Sequence, residues 1–256
     1  MEEKIYFNSS DGIKLCGVWT TPEKPTTKVI ILAHGITVDK DEDGIFIELA
    51  AYLAQNGFVV FRFDFRGHGE SDGKSIDVTL TGEIQDLGAA VQQVKSKGYQ
   101  DIGLLGASFA GAISVLYVVQ HPREIQHLCL WNPVLNYDHC YLHPTLPSLV
   151  KRKGHMMQEI KEQGWTQFGS HKFKVGKKLF DEMKQTFPYK AIKNLDCPTI
   201  IIHSDIDTYV PYEDSLDAVR EKPSITLVTI KNAAHGFYDS VIHAQEAYKT
   251  TLDFLA

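Results

Sequence analysis

The sequence has few cysteines and no pairing pattern among them. Its 256 residues include four, which lie far apart without a Cys-x-x-Cys spacing: Cys16, Cys129, Cys140 and Cys197. No paired Cys/His spacing and no His-Glu-x-x-His pattern occurs. A disulfide framework and a metal site are therefore not expected, and the cysteines are predicted to be small buried side chains.

Long apolar runs and an excess of positive charge are also missing. The longest apolar runs, such as Val29–Ala33, are far too short to span a bilayer, so no membrane contact is expected. Residues 1–4 show no basic or apolar signal segment, which predicts a cytoplasmic protein. The net charge of −6 argues against nucleic acid as a partner, because phosphate binding needs a positive footprint.

What is present is an alternation of strand and helix patterns in a chain that is 43% apolar. The continuous run Val29–Ala33 is typical of a strand buried on both faces of a sheet. Further strands are predicted at 4–7, 13–20, 58–63, 102–105, 128–131, 199–203 and 225–230. Helices are predicted at 46–55, 110–120, 212–220 and 240–255, with an apolar helical face over 80–94. The alternation predicts an α/β protein with a mostly parallel sheet and helices on both faces.

The alternation breaks between residues 133 and 195. This stretch has no buried-strand pattern and carries eleven Lys and Arg against five Asp and Glu. It is predicted to be an insertion, which divides the chain into a core of residues 1–132 and 196–256 and a segment at 133–195.

A serine stands between two small residues directly after a predicted strand. Gly106 and Ala110 lie two positions either side of Ser108, and small neighbours permit a sharp strand-to-helix turn. This is the pattern of a nucleophile elbow, in which the serine hydroxyl is exposed at the top of a sheet. Ser108 is therefore a candidate nucleophile.

Hydrolases with a nucleophile elbow carry the serine, an orienting carboxylate and a histidine base in the chain order Ser, Asp, His, and candidates for the last two follow Ser108 in that order. Asp205 and Asp207 follow one predicted strand, and His235 follows the next. Because the carboxyl ends of parallel strands meet at one edge, Ser108, one of these aspartates and His235 are expected to converge.

Hydrolases of this type stabilise the developing oxyanion with two backbone N–H groups. One is expected from Phe109, which follows the nucleophile, and the second from Ile36 in the loop after Val29–Ala33. Gly35 would let the backbone approach the substrate closely. His34 is predicted to brace this loop rather than to react.

Residues 63–73, of sequence FDFRGHGESDG, together with His34-Gly35, the Ser108 elbow and His235, resemble the α/β-hydrolase superfamily. The similarity is closest to the serine aminopeptidase-like group that includes bacterial cinnamoyl and feruloyl esterases. The resemblance covers the predicted core and implies an eight-stranded sheet with a cap insertion after strand six, at 133–195. It also favours Asp207 over Asp205 as the orienting acid, because Asp-x-x-Val-Pro recurs at this position in the superfamily. Ala107 and Phe109 depart from the His and Gln that those esterases commonly carry beside the serine.

These observations predict a serine esterase that acts on small-molecule esters, including hydroxycinnamoyl esters, without a cofactor. An acyl thioesterase or acyltransferase acting on coenzyme A or carrier-protein thioesters is an alternative, because both partners are anionic and the insertion is basic. A catalytically silent binding protein of the same fold is a third hypothesis, which the complete set of site residues disfavours.

The insertion is expected to determine substrate choice. Tyr141, Trp165 and Phe168 are candidates for an apolar lining. Four lysines are candidates for an anion-facing patch, with Lys174 and Lys178 on one helical face: Lys172, Lys174, Lys177 and Lys178. The Gly67-His68-Gly69 segment lacks the third glycine of a dinucleotide fingerprint, so a nucleotide is not expected.

Overall fold

A computed structural model describes residues 1–169 and 173–256 of the protein. Its strands are β1 (Glu2–Asn8), β2 (Lys14–Thr20), β3 (Val29–Ala33), β4 (Val59–Phe63), β5 (Ile102–Ala107), β6 (His127–Trp131), β7 (Trp165–Phe168), β8 (Phe173–Gly176), β9 (Thr199–Ser204) and β10 (Thr226–Ile230). Over these residues, eight strands form one sheet in the order β1-β2-β4-β3-β5-β6-β9-β10. β2 pairs antiparallel with both β1 and β4, and the other neighbours in this sheet are parallel.

Helices cover both faces of this sheet. They are α1 (Ile45–Gln55), α2 (Leu80–Ser96), α3 (Phe109–Gln120), α4 (Pro147–Gln163), α5 (Lys177–Met183), α6 (Pro188–Ala191), α7 (Tyr212–Glu221) and α8 (Val241–Leu255). The apolar side chains of α2 and α3 join one buried cluster, and those of α1 and α8 join another on the opposite face. The predicted fold class, a mostly parallel eight-stranded α/β sheet with helices on both faces, is confirmed.

Burial explains why the central strands are so apolar. All five residues of β3 and all six of β5 are buried, because each of these strands has a neighbour on both edges and helices on both faces. The β1–β2 hairpin closes through Gly12, whose φ of 88° lies in the left-handed region that glycine adopts without steric cost.

The segment between β6 and β9 has structure of its own. It contains a π-helical turn at Asp138–Leu142, the helices α4 to α6, and an antiparallel hairpin of β7 and β8. The sequence did not predict this hairpin. Its two strands are only four residues long, and partly exposed and buried residues alternate along β7, so no continuous buried run marks it. The assignment of 133–195 as a cap remains a prediction.

The parallel strands bring their carboxyl ends to one edge of the sheet. β3, β5, β9 and β10 end there, and Ile36, Ser108, Asp207 and His235 follow these four strands in that order. Within the described ranges, no helix combines the length and apolarity needed to cross a membrane.

Candidate active site

Ser108 occupies a strained turn between β5 and α3. Its φ of 52° and ψ of −116° are unusual for a residue with a side chain. The turn is tight enough that a Cβ on Gly106 would lie 2.3 Å from Ser114 Oγ and 2.7 Å from the carbonyl oxygen of Ala110. The small residues around Ser108 therefore meet a steric requirement of the elbow.

The glycine that the usual elbow pattern places at position 110 stands one residue later. Ala110 is fully buried. A Cβ on Gly111 would lie 2.5 Å from Pro133 Cβ and 2.8 Å from its Cα. Gly111 is therefore required because a side chain there would clash with Pro133, which follows β6. The elbow position at 110 accommodates alanine.

The structure brings Ser108, His235 and Asp207 into one chain of hydrogen bonds. Ser108 Oγ lies 3.0 Å from His235 Nε2, and His235 Nδ1 lies 2.6 Å from Asp207 Oδ2. Because an ionised carboxylate only accepts, Nδ1–H is the donor to Asp207 and Nε2 is left to accept from the serine hydroxyl. This arrangement gives the imidazole a tautomer that can take a proton from Ser108.

Asp207 is held ionised by its surroundings. Its Oδ1 accepts the N–H groups of Tyr209, at 2.7 Å, and Val210, at 2.9 Å. Burial opposes ionisation, but the charge of His235, the hydrogen bond from His235 and the nearby His203 ring outweigh it, so the pKa of Asp207 lies well below its ordinary value. The carboxylate can therefore orient His235 and stabilise its protonated form.

The surroundings of His235 also shift its pKa, through effects that oppose one another. Burial favours the neutral ring, whereas Asp207 and, more weakly, Glu42 favour the charged ring. The pKa of His235 is consequently raised above its ordinary value of 6.5.

Asp205 takes a different position from Asp207. Its Oδ1 accepts the N–H of Asn232 at 2.8 Å, in the loop that leads to His235. This hydrogen bond joins the two loops that carry Asp207 and His235. The imidazole hydrogen-bonds to Asp207 and not to Asp205, which contributes to loop geometry instead.

His203, at the end of β9, was missed by the sequence analysis. It is fully buried, with Nδ1 2.7 Å from Ser215 Oγ and Nε2 3.3 Å from Asp207 Oδ2. Among the described residues Nε2 has no aligned hydrogen bond, although Asp207 Oδ2 lies within ion-pair distance of it. The available signal was a polar residue at the end of an apolar strand, four positions before Asp207.

The loop after β3 presents an uncommitted backbone donor. His34 Nδ1 lies 2.7 Å from the carbonyl oxygen of Gly35, and His68 Nε2 lies 2.8 Å from that of Ile36. Over the described chain, neither the Ile36 N–H nor the Phe109 N–H has a hydrogen-bond partner. A Cβ on Gly35 would lie 3.3 Å from Ser108 Cβ, so this loop runs directly beside the serine.

The two histidines behind this loop are neutral supports. Burial lowers the pKa of His34 and that of His68 to about 4. His34 Nε2 accepts the N–H of Phe65 at 3.0 Å, which ties the loop to the chain after β4. The residues around His68 are packed closely, since a Cβ on Gly69 would lie 2.4 Å from the carboxyl group of Asp64. The Gly67-His68-Gly69 segment thus supports the neighbouring loop.

A pocket opens over Ser108, between the core loops and the segment 133–195. Tyr141 and Phe168 line it, and their rings stack at 5.4 Å with an interplanar angle of 9°. Trp165 does not line it, which corrects the expectation for this residue. Trp165 and Phe168 are three positions apart in β7 and face opposite sides, so Trp165 instead stacks under the Lys174 ammonium at 4.6 Å.

The predicted lysine patch is also wrong in its geometry. Lys174 lies in β8, and α5 begins only at Lys177, so Lys174 and Lys178 do not share a helical face. Lys177 pairs with Asp181, and Lys172 lies outside the described residues. Arg152 and Lys153 of α4 are the basic side chains that line the pocket among the residues described.

Over the described residues, no group of three or more His, Cys, Asp or Glu side chains is placed to hold a metal ion. The groups that converge at Ser108 are instead a hydroxyl, an imidazole, carboxylates and unpaired backbone donors. Such a set can carry out nucleophilic acyl transfer with general base assistance.

The chain is similar in sequence to known lipases and acyl transferases. The chain is 24% identical over 232 residues to a monoacylglycerol lipase of Mycolicibacterium smegmatis, covering 82% of this chain and 80% of the relative. It is 26% identical over 258 residues to an acyl transferase of Shewanella hanedai, covering 94% and 79%. Across the first three curated relatives, the chain spans 64%, 80% and 79% of their own length.

Among solved structures, Est1E of Butyrivibrio proteoclasticus with ferulic acid bound has the same fold. The TM-score is 0.81 at 22% sequence identity, covering 98% of this chain and 99% of the other. Residues 24–239 match the family described as serine aminopeptidase, S33. Since this match extends over most of the sequence, the chain belongs to the S33 serine aminopeptidase family of α/β hydrolases.

Proposed function

We propose that the protein is a serine hydrolase that cleaves carboxylic esters through an acyl-enzyme. The hydrogen-bond chain from Ser108 through His235 to Asp207, at 3.0 and 2.6 Å, carries this proposal. His235 Nε2 takes the hydroxyl proton as Ser108 Oγ attacks the ester carbonyl carbon, and passes that proton to the departing alcohol oxygen. A water molecule then attacks the acyl-enzyme, His235 accepts its proton and returns it to Ser108, and the acid leaves.

The backbone donors of this mechanism are Ile36 and Phe109. Their N–H groups flank the serine and lack partners among the described residues, so they are free to bind the oxyanion of the tetrahedral intermediate. No cofactor is needed for either half of the reaction.

The acyl group is proposed to bind in the apolar pocket beneath the segment 133–195, which acts as a cap. Side chains from this segment form much of its wall: Cys140, Tyr141, Pro144, Leu149, Met156 and Phe168. The stacked pair of Tyr141 and Phe168 offers a flat surface for an extended or aromatic acyl chain, such as a hydroxycinnamoyl group. Esters of apolar acids are therefore the proposed substrates.

A panel of neutral aryl esters tests this assignment. We expect kcat/KM to rise about fourfold per added methylene until the pocket is filled, because each buried CH₂ contributes about 0.8 kcal/mol. Phe168→Ala is expected to lower kcat/KM about tenfold for the longest or aromatic acyl groups and little for acetyl. The matched control is Trp165→Ala, since Trp165 faces away from the pocket. Equal losses in both variants would contradict this binding site.

A thioester substrate is the second candidate, and Lys153 favours it. This side chain lines the pocket and, over the described residues, has no ion pair or hydrogen bond. Beside it on α4, Arg152 donates to the carbonyl oxygen of Gln167 at 2.8 Å. An unpaired ammonium group at the mouth suits the phosphates of a coenzyme A or carrier-protein thioester.

Salt dependence separates the two substrate classes. For an acyl-CoA, we expect kcat/KM to fall several-fold between low salt and about 0.5 M salt, while kcat/KM for a neutral ester stays constant. Lys153→Glu should reproduce a loss of about tenfold at low salt for the acyl-CoA only. Lys161→Glu, which changes the same charge on the same helix away from the pocket, serves as the control. Parallel salt curves for both substrates would remove the thioester candidate.

A further inference from the structure

A second carboxyl group lies beside the nucleophile and has no part in the mechanism above. Glu42, between β3 and α1, accepts the N–H of Gly35 through Oε2 at 2.7 Å. Its Oε1 lies 3.3 Å from the point that a Cβ on Gly35 would occupy, and the same point lies 3.3 Å from Ser108 Cβ. Glu42 and Ser108 therefore flank Gly35, and both line the pocket together with His235.

The backbone at Glu42 is held in a disfavoured conformation. Glu42 and Asp43 have φ values of 46° and 53°, followed by Gly44 at 97°. Two consecutive side-chain-bearing residues in the left-handed region are uncommon, and such conformations persist where the surroundings enforce them. The turn directs the Glu42 side chain back toward the loop that precedes it.

The hydrogen bonds of this loop leave one donor free. The Gly35 N–H is bound by Glu42 and the Gly35 carbonyl by His34, while the Ile36 carbonyl lies 2.8 Å from His68 Nε2. In a trans peptide group the N–H points opposite to the carbonyl, so fixing the peptides on both sides of Gly35 also fixes the direction of the Ile36 N–H. Glu42 holds the first of these two peptides.

We propose that Glu42 is a positioning residue for the oxyanion donor Ile36. By accepting the Gly35 N–H, it prevents the loop from rotating and keeps the Ile36 N–H directed at the tetrahedral intermediate. This inference rests on the proposed serine hydrolase mechanism and assigns a role within it to a residue outside the hydrogen-bonded chain of Ser108, His235 and Asp207.

The charge of Glu42 adds a measurable signature to this role. The charged groups that face it are His235, Asp39 and Asp43, and burial raises the pKa of Glu42 to about 7. An ionised Glu42 favours the protonated form of His235 and so raises the pKa of the imidazole. Removing the charge while keeping the hydrogen-bond acceptor should therefore let His235 work at lower pH.

Two substitutions separate position from charge. Glu42→Gln keeps a side-chain carbonyl that can accept the Gly35 N–H, so we expect kcat within about threefold of wild type and an acid limb of the pH profile at lower pH. Glu42→Ala removes the acceptor, and we expect kcat for a neutral aryl ester to fall by about 30-fold to 100-fold with KM unchanged, approaching the loss of an oxyanion donor. Glu246→Gln and Glu246→Ala change the same charge at an exposed site in α8 and serve as controls.

A transition-state analogue provides a second readout. A trifluoromethyl ketone forms a tetrahedral adduct whose oxyanion needs the Ile36 N–H, so its inhibition constant should rise in Glu42→Ala by about the factor that kcat/KM falls. A loss of folding alone would lower the active-enzyme concentration without changing this constant. If Glu42→Ala does not fold, Glu42→Met keeps the bulk of the side chain without its carboxyl oxygens and is used instead.

The outcomes divide clearly. The proposal is overturned if the variant without an acceptor keeps kcat and the inhibition constant within about threefold of wild type. It is also overturned if Glu42→Gln loses as much as that variant does. If Ser108→Ala retains activity, the proposed serine mechanism fails. If Ser108→Ala is inactive and Glu42→Ala is fully active, the serine mechanism stands and only the role of Glu42 is overturned.

Discussion

Ser108→Ala is expected to lower kcat for ester hydrolysis by about six orders of magnitude, the scale seen when a serine nucleophile is removed. The loss is chemical, because alanine fits the elbow without new steric contact and only Oγ is removed. Hydrolysis of a neutral aryl ester measures the effect, and an unchanged melting temperature shows that the fold is intact. Ser96→Ala, at an exposed serine that hydrogen-bonds within its own helix, is the control.

Covalent labelling makes the same test independent of a chosen substrate. A serine-directed fluorophosphonate should modify Ser108 in the wild-type protein and fail to modify Ser108→Ala. Label on another serine, or turnover in the alanine variant above about one per cent of wild type, would remove Ser108 from the mechanism.

Asp207→Asn should lower kcat by about four orders of magnitude, while Asp205→Asn should cost less than tenfold. In Asp207→Asn the amide can donate to Nδ1, which moves the imidazole proton to Nε2 and leaves no acceptor for the Ser108 hydroxyl. Asp205 acts only through the Asn232 N–H, at 2.8 Å, so its effect is confined to loop geometry. Steady-state kinetics of the two purified variants provide the comparison.

The reverse ranking would assign the orienting acid to Asp205. A kcat for Asp207→Asn within about tenfold of wild type would show that His235 does not need this carboxylate. Both aspartates stand in the same loop and lose the same charge on substitution, so each variant is the matched control of the other.

Much of the core could be predicted because its strands are buried by neighbours on every side. Val29–Ala33 was predicted at the bounds that the structure gives to β3, since a strand between two others and under two helix layers must be apolar throughout. The convergence of Ser108 with the loops after β9 and β10 followed from a general property of parallel sheets, whose carboxyl ends share an edge.

The parts that escaped prediction depend on contacts that a local pattern does not contain. Glu42 is recognisable only once the left-handed turn at residues 42–44 directs its carboxyl group toward Gly35. The sequence also could not show which side of β7 faces the pocket. Side chains alternate between the two faces of a strand, so Trp165 and Phe168 must point in opposite directions, but the pattern does not say which one points inward. In the segment 133–195 the chain packs with few buried positions per element, so its periodicity is weak.

The order of the site residues along the chain has a consequence for synthesis. Ser108 precedes its proposed proton acceptor His235 by 127 residues, and the loop that bears His235 follows β10, an edge strand of the eight-stranded sheet. A nascent chain that has emerged through the elbow and the segment 133–195 therefore displays a serine with no base and no carboxylate behind it. The proposed acyl transfer therefore depends on the pairing of β10 with β9, since β10 leads into the loop that places the imidazole against the Ser108 hydroxyl.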